Sequence, residues 1–372
     1  MRVAIVYHFL PHYRRAVMCA LDASADVDFT FYADPDPIDG IVALDSGLLK
    51  RFVPSACRYW RHLIWQPNAV KVALERPGYD AIVYLASPYF LSTWVGAALA
   101  RLRGIRVLFW GHGWLHAEPP GKAWLRRTYF ALANKMLVYA PRAVKLGARA
   151  GYPAERIKVV YNSLDVAKAD AVIARIEDGS LQGVEPAALF AHPDRPVVIC
   201  TARLIDLCRF DLLIDAAAQL ARRGRPVNVL LVGNGPERAA LEAQAKALGV
   251  DVHFYGACYD EDVLGQLLYK ADLTVSPGKI GLTAMHTLMY GTPALTHDNF
   301  DQQMPEVEAL MADGVGALFS LEVPGDLADK IEAWFARPAS RAETRALCRE
   351  EIRRHWTPDV QVRQIVAAIQ EV

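Results

Sequence analysis

The chain has 372 residues, of which 53% are hydrophobic and 22% charged, and its formal net charge is zero. This length allows two domains of ordinary size, each with a sizeable core. No apolar run reaches the roughly 18 residues that indicate a membrane-spanning helix. The six cysteines are scattered without a C-x-x-C spacing, which argues against a zinc site and favours reduced thiols.

The charge is unevenly divided along the chain. Residues 1–170 contain 22 Lys and Arg against 13 Asp and Glu, a balance of +9, so the remainder carries −9. A basic first half suits anionic lipid or a phosphorylated substrate, and it suits attraction between the two halves equally well. Because no basic and apolar leader precedes the strand-like run Val3–Tyr7, we predict a cytoplasmic protein.

Strands and helices alternate through the first half of the sequence. The predicted strands are Val3–Tyr7, Phe29–Tyr32, Ala81–Leu85, Arg106–Trp110, Met136–Tyr139 and Ile157–Tyr161, and the predicted helices are about Tyr13–Asp22, Leu91–Leu102, Lys122–Ala133 and Pro141–Ala150. Alternation of this kind predicts a parallel, doubly wound sheet.

Two stretches lack a clear period. Residues 33–60 are predicted to loop over the surface, and residues 166–195 to form a polar bridge between two domains. Within Lys50–Trp65, basic and aromatic side chains are mixed, which suits an interfacial surface. A helix that places these aromatic side chains in the core explains the same pattern.

A second alternating series follows the bridge and predicts a second doubly wound domain. Its strands are Val197–Thr201, Val227–Val232, Val252–Tyr255, Leu273–Val275 and Ala294–Thr296, and its helices are about Phe210–Arg223, Pro236–Leu248, Asp262–Lys270 and Gly281–Tyr290. The predicted fold class is therefore α/β, with two Rossmann-like domains, 1–165 and 166–354, facing across a cleft.

The stretch Ser276–Thr296 predicts a strand end, a tight loop and a helix. The loop Pro277–Ile280 contains Gly278 and one cation, Lys279. Free N–H groups and the dipole at the start of such a helix favour phosphate, to which Lys279 adds a full charge. An ordinary βαβ crossover with a glycine turn accounts for the stretch equally well.

Several common motifs are missing. After Val227–Val232 the chain has Gly233 and Gly235 but no third glycine, so the dinucleotide-binding fingerprint is incomplete. The sequence contains no Walker motif, no G-x-S-x-G and no H-E-x-x-H.

The second half resembles the family-four retaining glycosyltransferases with the GT-B fold. The matching pieces occur in order: Ala202-Arg203-Leu204 with Phe210–Ile214, Leu231–Glu237, Val252–Gly256, Ala271–Leu273, Ser276-Pro277, Gly291–Pro293 and Pro305–Val307. The first half matches more loosely, through Gly111-His112-Gly113 and Asn162–Asp165. The resemblance also implies that the last helix, about 355–372, packs back on the first domain.

The resemblance implies a nucleoside-diphosphate-sugar donor and no metal or other cofactor. It assigns catalytic roles to His112 at the donor sugar and to Arg203 at the diphosphate, where we predict that Lys279 adds a second catalytic cation. Further donor-binding positions are Arg209, Gly256, Ala257, Cys258, Ile280, Gly281, Leu282, Thr283 and His286, and acceptor-side positions are His12, Tyr13, Arg14 and Trp114.

Three departures from the family pattern concern charge. Cys208 stands where the family carries a lysine, and Gly278 and His286 stand where it carries two glutamates. Lys279 or Arg209 is expected to supply the missing cation, and His286 to hydrogen-bond the ribose in place of glutamate. His12–Arg15 replaces a glycine-rich loop and indicates a bulky or anionic acceptor.

These departures leave three hypotheses. The first is an active hexosyltransferase that acts on a glycan or lipid-linked glycan in bacterial surface polysaccharide synthesis, with a peripheral contact at the inner membrane face. It retains anomeric configuration and closes its domains about residues 162–195. The second is a catalytically silent, nucleotide-binding relative that serves as a partner subunit. The third is a nucleotide-sugar epimerase, for which Glu118 is the one obvious cleft carboxylate. No nucleic-acid partner is expected.

Overall fold

Two parallel sheets with helices on both faces make up the computed structural model, which describes residues 1–38 and 40–372. The strands are β1 (Arg2–Phe9), β2 (Asp28–Asp34), β3 (Phe52–Pro54), β4 (Arg58–Trp60), β5 (Leu63–Trp65), β6 (Ala81–Leu85), β7 (Arg106–Trp110), β8 (Lys135–Val138), β9 (Ile157–Val159), β10 (Val197–Thr201), β11 (Asn228–Val232), β12 (Val252–Gly256), β13 (Leu273–Val275), β14 (Ala294–His297) and β15 (Gly316–Phe319).

Helices occupy most of the connections between these strands. They are α1 (Arg15–Asp22), α2 (Asn68–Leu74), α3 (Leu91–Leu102), α4 (Pro120–Phe130), α5 (Pro141–Arg149), α6 (Val166–Glu177), α7 (Phe210–Arg222), α8 (Arg238–Leu248), α9 (Glu261–Lys270), α10 (Leu282–Met289), α11 (Asp326–Phe335), α12 (Arg341–His355) and α13 (Pro358–Gln370).

Unit 1 comprises Met1–Asp165 and His355–Val372. Its seven-stranded sheet has the order β3-β2-β1-β6-β7-β8-β9, with all pairs parallel. One face is covered by α1 and α13, and the other by α2, α3, α4 and α5. Because helices cover both faces, β6 is apolar along its whole length rather than alternating.

Unit 2 comprises Val166–Arg354. Its six-stranded sheet has the order β12-β11-β10-β13-β14-β15, again with all pairs parallel. The apolar stripe of α7 faces the sheet, with Phe210, Leu213 and Ala217 among its buried residues at helical spacing. The predicted α/β fold class with two doubly wound sheets is confirmed.

Two predicted loop regions contain regular structure. The stretch 33–60 contributes β3 to the edge of the unit 1 sheet, and Arg58–Trp65 forms a two-stranded antiparallel hairpin rather than a helix. Residues 166–177 form α6, whose Val172 and Ile173 are buried, and not a polar bridge. This helix belongs to unit 2, which begins at Val166. The sequence patterns also missed α2 and β15.

Across residues 1–38 and 40–372, none of the helices combines the length and the apolar character that crossing a bilayer requires.

Candidate functional site

The strand order of unit 2 reverses between β10 and β13, and this reversal determines which loops meet. In a parallel sheet the connections on either side of such a point run in opposite directions, which opens a crevice at the carboxyl ends of the strands. The loop 202–209 follows β10 and the loop 276–281 follows β13, so both begin at this crevice.

These two loops are joined through their backbones. The amide of Gly278 donates to the carbonyl of Cys208 at 3.0 Å, and the amide of Lys279 to the carbonyl of Leu207 at 3.4 Å. A Cβ atom at position 278 would lie 2.1 Å from the Leu207 oxygen. In this backbone conformation only glycine fits at position 278, where the family pattern has a glutamate.

The loop after β11 joins the same assembly. A Cβ atom at Gly233 would lie 1.9 Å from the Ala202 oxygen, and one at Gly235 would lie 2.1 Å from the Leu204 oxygen. The Leu204 amide donates to the Asn234 carbonyl at 3.1 Å. The two glycines therefore serve close backbone packing beside Arg203 rather than an incomplete dinucleotide fingerprint.

Gln303 supports the β13 loop from behind. It is buried, and its Oε1 accepts from the Ile280 amide at 2.8 Å while its Nε2 donates to Thr296 Oγ1 at 2.9 Å and to the His297 carbonyl at 3.1 Å. The Ile280 side chain is fully buried and its amide is already bonded. The predicted donor contact of Ile280 is therefore corrected to a structural role.

Two cations at the crevice lack partners. Arg203 is exposed and Lys279 half-buried, and neither side chain makes a hydrogen bond or ion pair to any residue in 1–38 or 40–372. Arg209 differs, because its guanidinium donates to Asp211 at 2.8 and 3.0 Å and is thereby neutralised. Burial raises the pKa of the Cys208 thiol, so Cys208 adds no charge. Arg203 and Lys279 are the cations available to an anion.

The start of α10 opens at the same place. Gly281 precedes it, and among the described residues no side chain caps this end. Thr283 Oγ1 donates to the Thr201 carbonyl at 3.3 Å, which ties the first turn of α10 to the end of β10. The amides of Gly281, Leu282 and Thr283 therefore lie between the ends of β10 and β13, where free helix amides favour an anion.

One turn further along α10, His286 contacts a carboxylate that sequence reasoning missed. Glu261, the first residue of α9, accepts from His286 Nε2 at 3.0 Å and from the Tyr290 hydroxyl at 2.7 Å. Burial acts to raise the pKa of Glu261, but the bonds from His286 and Tyr290 and the charge of Lys168 lower it to about 2. Glu261, on a neighbouring helix, thus supplies a charged carboxylate beside position 286.

The loop after β12 lies next to Glu261 in the chain. Gly256 has a φ of +90° and forms a bridge with Gly233, Ala257 is exposed, and Asp260 caps α9 by accepting from the amides of Asp262 and Val263. The acidic start of this predicted helix was the sequence signal for Glu261. Cys258 donates weakly to the Asp260 carbonyl, with 3.8 Å between sulfur and oxygen.

In unit 1, Arg14 is buried among aromatic rings. Its guanidinium lies 5.5, 5.1 and 5.4 Å from the ring centroids of Tyr7, Trp110 and Tyr139, and it donates to the hydroxyls of Tyr139 and, at 3.5 Å, of Tyr7. The ring of His112 lies 5.1 Å from that of Tyr139. The structure therefore connects two predicted site residues, Arg14 and His112, through a single tyrosine.

The other predicted acceptor-side residues, His12, Tyr13 and Trp114, lie in different environments. His12 is exposed at the surface, with Nδ1 3.2 Å from the Val42 carbonyl, and Tyr13 is half-buried beside it. Trp114 is only 6% exposed and packs on Phe130 with its ring centroid 4.9 Å away. The predicted acceptor contact of Trp114 is corrected to a role in the core, where its ring fills space above Gly147.

Comparisons with known proteins identify the family. The profile for glycosyl transferases group 1 matches residues 184–355, and that for glycosyltransferase family 4 matches residues 20–168. The chain belongs to the family-four glycosyltransferases. The predicted resemblance is confirmed. In this chain Arg203, Lys279 and the start of α10 lie at the crevice between β10 and β13.

Curated relatives share segments of this glycosyltransferase. A GDP-mannose-dependent alpha-(1-6)-phosphatidylinositol dimannoside mannosyltransferase of Mycobacterium tuberculosis is 35% identical over 109 residues, 28% of each protein. A D-inositol 3-phosphate glycosyltransferase of Gordonia bronchialis is 27% identical over 293 residues, 66% of this chain and 62% of the relative. The chain thus spans less than two thirds of the length of these relatives.

The glycosyltransferase also resembles a solved structure along its whole length. The crystal structure of HepE from Anabaena in complex with UDP matches with a TM-score of 0.72 and 17% identity, covering 100% of both chains. HepE has also been solved with UDP-glucose, and that structure matches with a TM-score of 0.67 and 19% identity. At these identities the likeness shows the GT-B fold alone.

Proposed function

We propose that this glycosyltransferase moves a hexose-type sugar from a nucleoside-diphosphate sugar to an acceptor hydroxyl, with retention of anomeric configuration and without a metal ion. The acceptor is a glycan or lipid-linked glycan of bacterial surface polysaccharide synthesis. The observation that carries the proposal is found at the crevice of unit 2. There Arg203 and Lys279, which bond to no side chain among the described residues, lie with the start of α10, which no described side chain caps.

The site chemistry matches a diphosphate. Arg203 and Lys279 each offer a full positive charge, and the amides of Gly281–Thr283 offer oriented donors that need no reorganisation. Together they stabilise the negative charge that develops on the leaving diphosphate.

The ribose subsite in this proposal is shared by two helices. Glu261 on α9 and His286 on α10 meet at 3.0 Å, so their free acceptor and donor atoms face one region beside the β12 loop. Ribose hydroxyls act both as donors and as acceptors, and a carboxylate with an imidazole satisfies both requirements. The backbone of Gly256–Cys258 contacts the base.

We propose the following reaction at these contacts. The acceptor hydroxyl attacks the anomeric carbon on the face that the diphosphate leaves, the glycosidic bond to phosphate breaks, and the leaving phosphate oxygen takes the acceptor proton. The oxocarbenium-like charge is balanced by the same phosphate. His112 lies against the donor sugar, and Arg14 fixes the Tyr139 ring on which His112 rests.

Two relatives support the choice of substrates. HepE has been solved with UDP and with UDP-glucose, and the mycobacterial relative is named for a GDP-mannose donor and a phosphatidylinositol-type acceptor. We infer that the acceptor here is attached to a lipid at the inner face of the cytoplasmic membrane, which agrees with the basic first half of the chain.

The carboxylate on which the epimerase hypothesis depends is already in an ion pair. Both oxygens of Glu118 accept from the guanidinium of Arg126 at 2.7 Å, which neutralises the one acid proposed for that chemistry. The silent-partner hypothesis remains as one outcome of the test below.

Thermal unfolding with UDP, GDP, dTDP and their sugars tests the donor site. A nucleotide that binds the folded state raises the melting temperature by mass action, so the ranking reports affinity. We expect one base to give the largest shift, and Arg203→Ala to abolish it while Arg222→Ala on the exposed end of α7 does not. No shift with any nucleotide at millimolar concentration would overturn the donor site.

Donor hydrolysis then separates the active enzyme from a silent relative. We expect slow release of sugar from the preferred donor in the absence of acceptor, and faster consumption with a membrane extract as the acceptor source. Tight nucleotide binding without release of sugar under either condition would establish the silent relative.

A further inference from the structure

Unit 1 displays a cluster of exposed apolar side chains at the carboxyl edge of its sheet. The β4–β5 hairpin exposes Tyr59, Trp60 and Trp65, with Trp60 73% accessible to solvent. Large aromatic side chains left in water cost free energy, and a contiguous set of them marks an interaction surface.

The hairpin is held firmly at its base. The Ile64 amide donates to the Tyr89 carbonyl at 2.9 Å, and the Gln66 amide donates to Ser92 Oγ at 2.9 Å. Gln66 Nε2, which is buried, donates to the Tyr7 carbonyl at 2.7 Å. These bonds tie the hairpin to β1 and to the start of α3, so its exposed tryptophans project from a fixed base.

The N-terminal halves of two neighbouring helices carry further exposed apolar side chains. Leu91 and Val95 on α3 and Trp124 and Leu125 on α4 are all exposed. Both helices start at the same edge because they follow adjacent parallel strands, β6 and β7, and they are packed together through Trp94 and Tyr129, whose ring centroids are 4.9 Å apart. We call this cluster, with the hairpin 58–65, the aromatic edge.

The segments that form the aromatic edge are mainly basic, and Asp34, whose carboxylate accepts from the Cys57 amide at 2.9 Å, lies beside the base of the hairpin. Residues 46–154 contain 16 Lys and Arg but only 3 Asp and Glu, and no acid occurs from 46 to 74. Arg58 and Arg61 on the hairpin and Lys122 and Arg127 on α4 are exposed. Glu118, which precedes α4 in the chain, forms an ion pair with Arg126.

We propose that the aromatic edge docks this protein on an anionic lipid bilayer, with Trp60 and Trp65 in the interfacial layer and Arg58, Arg61, Lys122 and Arg127 on lipid phosphates. Tryptophan and arginine are the side chains that suit this layer, and each cation near the surface adds attraction to anionic lipid. The surface does not depend on the proposed reaction.

Charge and shape favour a bilayer over the other occupants. A second copy of the chain would bring a like-charged face against this one, which costs free energy. A glycan stacks on flat rings, but Leu91, Val95 and Leu125 offer it no ring. A bilayer accepts aliphatic and aromatic side chains together and supplies the negative charge.

The test uses flotation of the full chain with vesicles of phosphatidylcholine alone and of phosphatidylcholine with phosphatidylglycerol. We expect flotation with the anionic vesicles at low salt, and its loss at high salt because exposed charges are screened. Trp60→Ala and the double variant Arg58→Gln, Arg61→Gln are each expected to reduce binding about tenfold or more.

Leu102→Ala is the matched control. Leu102 is 84% exposed but lies at the far end of α3, away from the carboxyl edge, so its loss should leave vesicle binding unchanged. Circular dichroism and the nucleotide-induced melting shift verify that each variant is folded.

Three results would overturn the proposal. They are absence of flotation with anionic vesicles, an equal effect of Leu102→Ala and Trp60→Ala, and a concentration-dependent dimer of the wild type that Trp60→Ala abolishes. The last result would assign the aromatic edge to self-association. None of these measurements uses glycosyl transfer, so their failure leaves the proposed reaction standing.

Discussion

Glu261 and His286 share a 3.0 Å hydrogen bond between two helices that are separated by a strand in the sequence. His286 stands at a position where the family pattern carries a glutamate. The structure thus places a carboxylate and an imidazole together where a single glutamate is expected.

The pH dependence of stability should reveal this pair. The folded-state pKa of Glu261 is about 2, below its ordinary value of 4.5, so the folded protein favours the charged form. A carboxyl group whose pKa is lowered in the folded state stabilises the folded protein at pH values above its unfolded-state pKa. This stabilisation is lost as the pH falls from about 4.5 towards 2. On a scale of roughly 1.4 kcal/mol per pKa unit, the contribution is on the order of 3–4 kcal/mol.

Urea unfolding of the wild type and Glu261→Gln at pH 7, 5, 4 and 3 measures this contribution. We expect the variant to have a lower free energy of unfolding than the wild type at pH 7, and this difference to shrink steadily below about pH 4.5. A difference in unfolding free energy that stays constant across this range would show that Glu261 acts through packing rather than through charge.

Arg203→Ala and Lys279→Ala should each reduce donor turnover by about 10²-fold, the scale of losing one charged stabiliser of a leaving group. Arg209→Ala is the matched control, because Arg209 is in the same loop as Arg203 but is neutralised by Asp211. Steady-state kinetics with the preferred donor gives kcat and KM for all three. A larger loss in Arg209→Ala than in Lys279→Ala would assign the missing lysine's role to Arg209.

Gln303→Ala should destabilise unit 2 by about 2–4 kcal/mol and weaken nucleotide binding. The substitution leaves the buried Ile280 amide and the His297 carbonyl without their partner, and an unsatisfied buried group carries its full desolvation cost. Gln302→Ala is the control, since Gln302 is exposed and surface changes of this kind stay within about 0.5 kcal/mol. Equal stabilities in urea unfolding would contradict the supporting role of Gln303.

Gly278→Ala should cost about 2 kcal/mol or more, because the added carbon would lie 2.1 Å from the Leu207 oxygen and the two loops must part to admit it. The separation should also lower nucleotide affinity, which calorimetry measures directly. Gly121→Ala, in the open first turn of α4 with no atom within 4 Å, should be neutral or slightly stabilising. Similar effects of the two substitutions would argue against the close approach at Gly278.

The sequence predicted the fold through periodicity. Strands buried on both faces read as short apolar runs, and β6, β7, β10 and β13 were found because helical patterns separate them. Once the sheet order is fixed, loops after β10 and β13 must meet, so the neighbourhood of Arg203 and Lys279 was accessible from sequence. Short elements such as α2 and β15 carry too few residues to show a period.

The remainder of the site depends on contacts between distant residues. Glu261 reaches His286 across 25 positions, and no local pattern signals that approach. Trp114 follows a strand as a site residue would, but its ring is buried in the core, in space that a side chain at Gly147 would occupy. The hairpin 58–65 is set by its bonds to Tyr89 and Ser92 rather than by its own alternation.

The return of α13 to the first sheet has a consequence for synthesis on the ribosome. Its Ile365, Ala368 and Ile369 complete the apolar layer beside α1, yet they are translated 200 residues or more after Asp165. Unit 2 is continuous in the chain, so it can fold while unit 1 still lacks α13. A nascent chain stalled before residue 355 would therefore present an open hydrophobic face to chaperones, and release of the final eighteen residues would close it.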